Sequence, residues 1–177
     1  MNRPKTLGFL LLLLIVLVPL GMKSDAQGKG RPPDIIFSWA QDKIRRGEDW
    51  RIYIVASDPD GDMHRIYCRI EQGGGQLYRM DISSVSRGMG GQLVGYLALR
   101  TFSSTDLGGT SLTLTLIIED REKNESRPVR FPLTINGEVR RSPPANLIPP
   151  GIEKELDKRI AYISIDLVRR DRMGGGN

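Results

Sequence analysis

The sequence predicts an all-β protein: a two-sheet antiparallel sandwich followed by a short C-terminal extension of mixed or undecided structure. Three observations predict it. Short runs of alternating apolar residues recur at near-regular spacing, clusters of Gly, Asp, Asn and Ser separate them, and no convincing helical stripe lies among them.

Residues 35–39 form the first expected strand. The second, 50–56, reads WRIYIVA and places Trp50, Ile52, Ile54 and Ala56 on one face. In the third, 63–70, Ile66, Cys68 and Ile70 share a face, opposite Arg65, Tyr67 and Arg69. Gly73-Gly74-Gly75 turns the chain into a weaker strand at 77–82, and a loose Ser/Gly loop occupies 83–91. Residues 93–100 and 110–118 follow; in the latter Leu112, Leu114, Leu116 and Ile118 make the cleanest half-buried pattern of the chain. Strand 129–135 closes the set with Val129, Phe131, Leu133 and Ile135 inward. Its Pro132 has no N–H to donate to a ladder, which places it at a sheet edge. Seven or eight such strands over residues 34–137 read as an immunoglobulin-like β-sandwich.

Residues 138–151 contain Pro143, Pro144, Pro149 and Pro150 and are expected to be a stiff linker. Residues 152–173 are expected to dock, because they carry an apolar face. As a helix, Ile152, Leu156, Ile160, Ile163 and Leu167 form one stripe; as a strand, Ile163, Ile165 and Leu167 alternate with Tyr162, Ser164 and Asp166. A helical start to 159 followed by a strand reconciles the two patterns. Residues 174–177 read as a disordered tail.

The N-terminus has the three parts of an export signal. Arg3 and Lys5 supply positive charge, residues 7–20 are apolar apart from Gly8 and Pro19, and Ser24-Asp25-Ala26 offers small residues where signal peptidase requires them. The apolar run of about 14 residues spans roughly 21 Å as a helix, short of a ~30 Å hydrocarbon core. Residues 1–26 are therefore expected to be removed, with an uncleaved anchor as the competing reading, and 27–33 to be a disordered leader. Removing Arg3, Lys5, Lys23 and Asp25 takes the formal charge from +5 to +3. That mild excess suits anionic envelope lipid or acidic polysaccharide and does not argue for nucleic acid. With Cys68 the single cysteine, no intramolecular disulfide can form, so stability must come from packing or a bound ion.

The most informative run is Ala56-Ser57-Asp58-Pro59-Asp60-Gly61-Asp62, between the second and third strands. Asp58, Asp60 and Asp62 crowd three carboxylates into five residues, which is costly by repulsion unless a cation or water separates them. Calcium takes six to eight oxygens, and alternate Asp residues around a Gly bend can supply several. In such a sandwich the second-to-third and sixth-to-seventh loops share one end, bringing Glu119, Asp120 and Glu122 near. The alternative is that Asp-Pro-Asp-Gly is good turn chemistry and nothing more; both readings stay open here.

The same turn, with Gly47-Glu48 ahead of strand two and Asp120 to Ser126 (DREKNES) after the Thr/Leu strand, resembles the bacterial immunoglobulin-like modules of the polycystic-kidney-domain and cadherin-like kind. The resemblance covers residues 33–137 and implies the sandwich fold. Cys68 stands where such modules place a core Trp, implying a differently packed core, and Lys123 replaces a usual Gly.

No catalytic set emerges. His64 and Cys68 sit four residues apart on a strand, roughly 13 Å at ~3.3 Å per residue, whereas a base must lie within about 3 Å of its nucleophile. There is no zinc-type Cys/His cluster, G-x-S-x-G or phosphate loop. The basic groups Arg140–Arg141 and Arg169, Arg170 and Arg172 read either as a solvated edge or as contacts to anionic lipid or an acidic partner. The expected function is an exported, non-catalytic interaction or structural module stabilised by Ca2+, with a protein partner met through the C-terminal segment or an edge strand. The rival is an accessory carbohydrate-binding domain of an envelope enzyme system, which needs aromatics on an open face.

Overall fold

A computed structural model describes residues 30–45, 47–101, 109–135 and 142–167. The expected signal at 1–26, the Arg140–Arg141 pair, the arginines at 169, 170 and 172 and the tail at 174–177 lie outside them. Period-two alternation determines the strands. These are β1 (Asp34–Ala40), β2 (Lys43–Ile44), β3 (Asp49–Ser57), β4 (Met63–Gln72), β5 (Gln76–Leu77), β6 (Asp81–Ser84), β7 (Gln92–Arg100), β8 (Ser111–Asp120), β9 (Val129–Ile135) and β10 (Arg159–Ile163). A 3-10 turn, Ala145–Leu147, and a one-turn helix α1, Glu153–Leu156, precede β10. The result is an all-β, immunoglobulin-like sandwich. One sheet runs β1-β3-β7-β10; the other runs β2-β9-β8-β4, with β5 and β6 both on the outer edge of β4.

The inner faces meet in one core. Trp50, Ile52, Ile54 and Ala56 from β3 face Ile66, Cys68 and Ile70 from β4 and the Leu112, Leu114, Leu116 and Ile118 stripe of β8, all at 1% exposure or less. Cys68 occupies a small apolar slot, and the core tryptophan is Trp50 of β3. Its indole N–H donates to the carbonyl of Gln41 at 2.7 Å, where the chain crosses from one sheet to the other. Pro132 faces the open side of β9: the Thr134 N–H, two residues on, donates outward to Asp42 O, so the Pro132 nitrogen points the same way, beyond the short β2.

Two pairings depart from a purely antiparallel sandwich: β2 runs parallel to β9, and β10 runs parallel to β7. A two-residue strand has no alternation to read, which is why β2 is invisible in the sequence. The weak strand expected at 77–82 is two strands, β5 and β6, separated by an irregular step at Tyr78–Met80. At the start of β4 the register shifts between Met63 and Arg65, so His64 is the bulged residue. The bulge turns Met63 into the core and removes His64 from the Cys68 face on which simple alternation places it.

Residues 142–167 complete the domain. Helix α1 and β10 divide the double pattern of the sequence between them, helical first and extended second. Ile163, Ile165 and Leu167 enter the main core, while Leu156, with Ile148 and Ile152, covers Tyr53, Val55, Tyr96 and Ala98 on the outer face of the four-stranded sheet. On that face Trp39, Tyr53 and Tyr96 form an aromatic row with centroids 5.8 and 5.7 Å apart. Arg100 and Arg159 stack on the Tyr162 ring at 4.5 and 4.1 Å.

The entry of β10 depends on Gly95. The Tyr96 N–H donates to Lys158 O at 2.9 Å, and a Cβ on Gly95 would overlap that same carbonyl. The Gly95 φ of +147° is one that side chains disfavour as well. Gly95→Ala is expected to cost about 3 kcal/mol or more and to undock the C-terminal segment. Limited proteolysis reads this as new cleavage within 142–167 while the sandwich stays resistant; an unchanged digest would contradict the assignment.

Candidate metal centre

The β3–β4 turn and the β8–β9 turn lie at the same end of the sandwich. Asp58 ends the first turn's approach and folds back on it: its Oδ1 accepts from the Asp60 N–H at 3.0 Å and its Oδ2 from the Asp62 N–H at 3.3 Å. Gly61, at φ +76°, makes the bend. The turn is clamped from two sides. Asp58 N donates to Gly91 O and Met63 N to Gly90 O, while Arg121 N donates to Asp62 O. Gly90 packs so closely that a Cβ there would overlap Gly61 O.

The second turn brings up Asp120, which is fully buried. Asn124 holds it by two bonds, backbone N–H to Oδ1 at 2.8 Å and side-chain Nδ2 to Oδ2 at 2.7 Å. One carboxylate oxygen from each of Asp58, Asp62 and Asp120 falls within a set whose members all lie within 4.8 Å of one another. Full charges at that separation repel by roughly 3.5 kcal/mol per pair at an effective dielectric of about 20. The Asp62 Oδ1 is buried with no hydrogen-bond partner. Burial, the Asp58 hydrogen bond and the Asp120 and Asp58 charges push the Asp62 carboxyl above its ordinary range. An orphaned buried oxygen among three carboxylates fits a hard cation, which would supply the missing partner and the missing charge.

Of the six acidic residues the sequence nominates, three are thus gathered and three are not. Asp60 points outward and accepts the Arg31 N–H at 2.6 Å. Glu122 is exposed, and its Oε2, the Asp60 Oδ2 and Asn124 Nδ2 all lie within 3.4 Å of where a Cβ on Gly30 would stand. Residues 30–31, within the expected leader at 27–33, therefore rest on the rim of the acidic end. Glu119 faces the other side of β8, as alternation with Asp120 requires. It accepts from Tyr67 OH at 2.9 Å and Lys123 Nζ at 2.8 Å, with Arg65 at 3.9 Å. Burial pushes its carboxyl up, but these donors and charges outweigh burial and hold it below the usual value. Asn124 and Gly90 are the site residues that sequence reasoning misses. Lys123 adopts φ +73°, a left-handed conformation that explains why a glycine is usual there. Cys68 is buried and its thiol pushed up, first by desolvation and then by Asp81, so it stays protonated.

No family model matches the chain, and no curated protein matches it. Among solved structures, the PKD domain of an M14-like peptidase from Thermoplasmatales archaeon SCGC AB-540-F20 is similar over 61% of this chain and 99% of that one. The identity is 19% and the TM-score 0.38. No helix among the described residues is long and apolar enough to cross a membrane.

The Asp62 and Glu119 directions predict a pH signature. A raised carboxyl binds its proton more tightly folded than unfolded. In chelator, stability from Asp62 therefore falls as pH rises through the raised value and returns on acidification toward the ordinary Asp value of about 3.9. The lowered Glu119 contributes stability that is lost only as pH falls below about 4.3 and through its depressed value. The melting temperature is expected to rise on mild acidification from pH 7 and then fall, and Asp62→Asn is expected to abolish the rise.

Proposed function

We propose that this chain is an exported, non-catalytic sandwich module whose acidic end binds calcium, and that it works in protein interaction or in the structure of the cell envelope. The observation that carries the reading is the convergence of Asp58, Asp62 and Asp120 around the unpartnered Asp62 oxygen. All the gathered donors are carboxylate oxygens, the chemistry of calcium and magnesium rather than of zinc or copper. Export is supported by the three-part pattern of residues 1–26. For a protein partner, the outer edge of β1 has no neighbouring strand among the described residues and can accept one. The carbohydrate-binding alternative is less favoured, since Tyr53 and Tyr96 are buried with Leu156 and leave Trp39 the one partly exposed ring of the row.

Bound calcium would stabilise the folded form by about 2.7 kcal/mol at a free concentration one hundred times its dissociation constant. A rise in melting temperature that saturates with calcium is expected. No shift at millimolar calcium would sink the reading. Asp62→Asn removes one of three crowded charges without changing shape. The variant is expected to melt above the parent in chelator and to lose the calcium response; a variant that melts lower in chelator and still responds would place the ion elsewhere.

A further inference from the structure

The two sheets are finished differently. The outer face of the four-stranded sheet is covered by the chain's own residues 148–156, whereas the outer face of the six-stranded sheet has no such cover among the described residues. Among the described residues, three of the five most exposed large apolar side chains lie at the β5–β6 rim of that second sheet: Leu77 at 56%, Met80 at 47% and Ile82 at 53%. Register places Leu77 opposite Glu71 and Ile82 opposite Tyr67, so both project from the open face beside Arg65 and Arg69. Arg130 joins them from β9, across Thr115 from Arg69.

The charges on this face do not balance. Glu71 is shared by Arg69 and Arg130 at 3.7 and 3.1 Å, and Glu119 lies 3.9 Å from Arg65 while bonding Lys123. Arg79, exposed beside Met80, has no ion pair among the described residues. Among the described residues, four arginines and Lys123 thus stand against Glu71, Glu119 and, at the rim, Asp81. We propose that this rim is a docking surface for an anionic lipid bilayer. Leu77, Met80 and Ile82 enter the headgroup–acyl boundary, and Arg69 and Arg79 meet lipid phosphates. A thin apolar ridge interrupted by Arg79 and Asp81 is a poor core for a protein interface, where charge is depleted at the centre. A bilayer surface places phosphates at the level of flanking cations and accepts isolated apolar side chains below them.

Flotation of residues 27–177, which contain every described element, tests this with phosphatidylcholine vesicles made with and without phosphatidylglycerol, in chelator. Binding is expected to the anionic vesicles and to weaken with salt. Leu77→Ser/Ile82→Ser and, separately, Arg69→Gln/Arg79→Gln are expected to weaken it about tenfold or more, with unchanged melting temperature. Met80→Ser alone serves if either double variant fails to fold. No flotation, or equal flotation on neutral vesicles, overturns the proposal. So does binding that survives both double variants but is lost in Arg169→Gln/Arg170→Gln/Arg172→Gln. A chain that is dimeric through Leu77 and Ile82 and does not float would make the rim a self-association surface instead.

Discussion

Strands β3 and β7 carry apolar side chains on both faces, and the rest of the molecule is arranged to cover them. Trp50, Ile52 and Ile54 look inward; Tyr53 and Val55 look outward; Tyr96 and Ala98 on β7 repeat the outward pattern. An ordinary antiparallel sheet buries one face and wets the other. Here a second sheet covers the inner face, and residues 148–156 must cover the outer one. The segment that does so then runs into β10 and sends Ile163, Ile165 and Leu167 back into the main core. One stretch of chain therefore serves both apolar clusters, which couples the cover to the closure of the sheet.

The acidic end rests on the opposite balance. Apolar burial holds the sandwich together, and the energy it provides is what allows Asp58 and Asp120 to be buried next to Asp62 at all. Backbone N–H groups and Asn124 satisfy most of their oxygens, so the cost is concentrated on Asp62. Glu119, one residue from Asp120, lies on the other side of the same strand with Tyr67 and Lys123. Its environment pulls its carboxyl in the opposite direction from that of Asp62. Two adjacent acids on one strand thus belong to two unrelated sites, separated only by the pleat.

The strands were legible because alternation is a strong signal in runs of seven to ten residues such as β3, β8 and β9. Legibility failed where the period was interrupted or the run was too short. The bulge at His64 shifted Met63 to the face alternation gives His64, β2 was two residues long, and residues 152–167 satisfied a helical and an extended pattern because they contain both. At the acidic end, the Asp58–Asp62 run announced a crowded turn, and Asp120 could be placed near it by loop order. Alternation alone assigns Glu119 away from Asp120. What separates Asp60 and Glu122 from the gathered three is where each side chain turns at a bend, which spacing does not encode. Gly90 was unreadable for another reason: a glycine in a Ser/Gly loop signals freedom, and only packing reveals that it is there to let Gly61 approach.

The notch at Gly95 has a consequence for how the molecule is made. Strand β7 lies mid-chain, and its far edge stays unpaired until residues 159–163 arrive. The pairing of β10 with β7 is therefore long in sequence and parallel, the combination that closes most slowly. Until then the four-stranded sheet is incomplete and its outer apolar face is uncovered, because residues 148–156 belong to the same late segment. Closure of that sheet waits for residues 159–163 to be made. A chain cut before residue 159 would therefore show itself by an open edge beside Gly95.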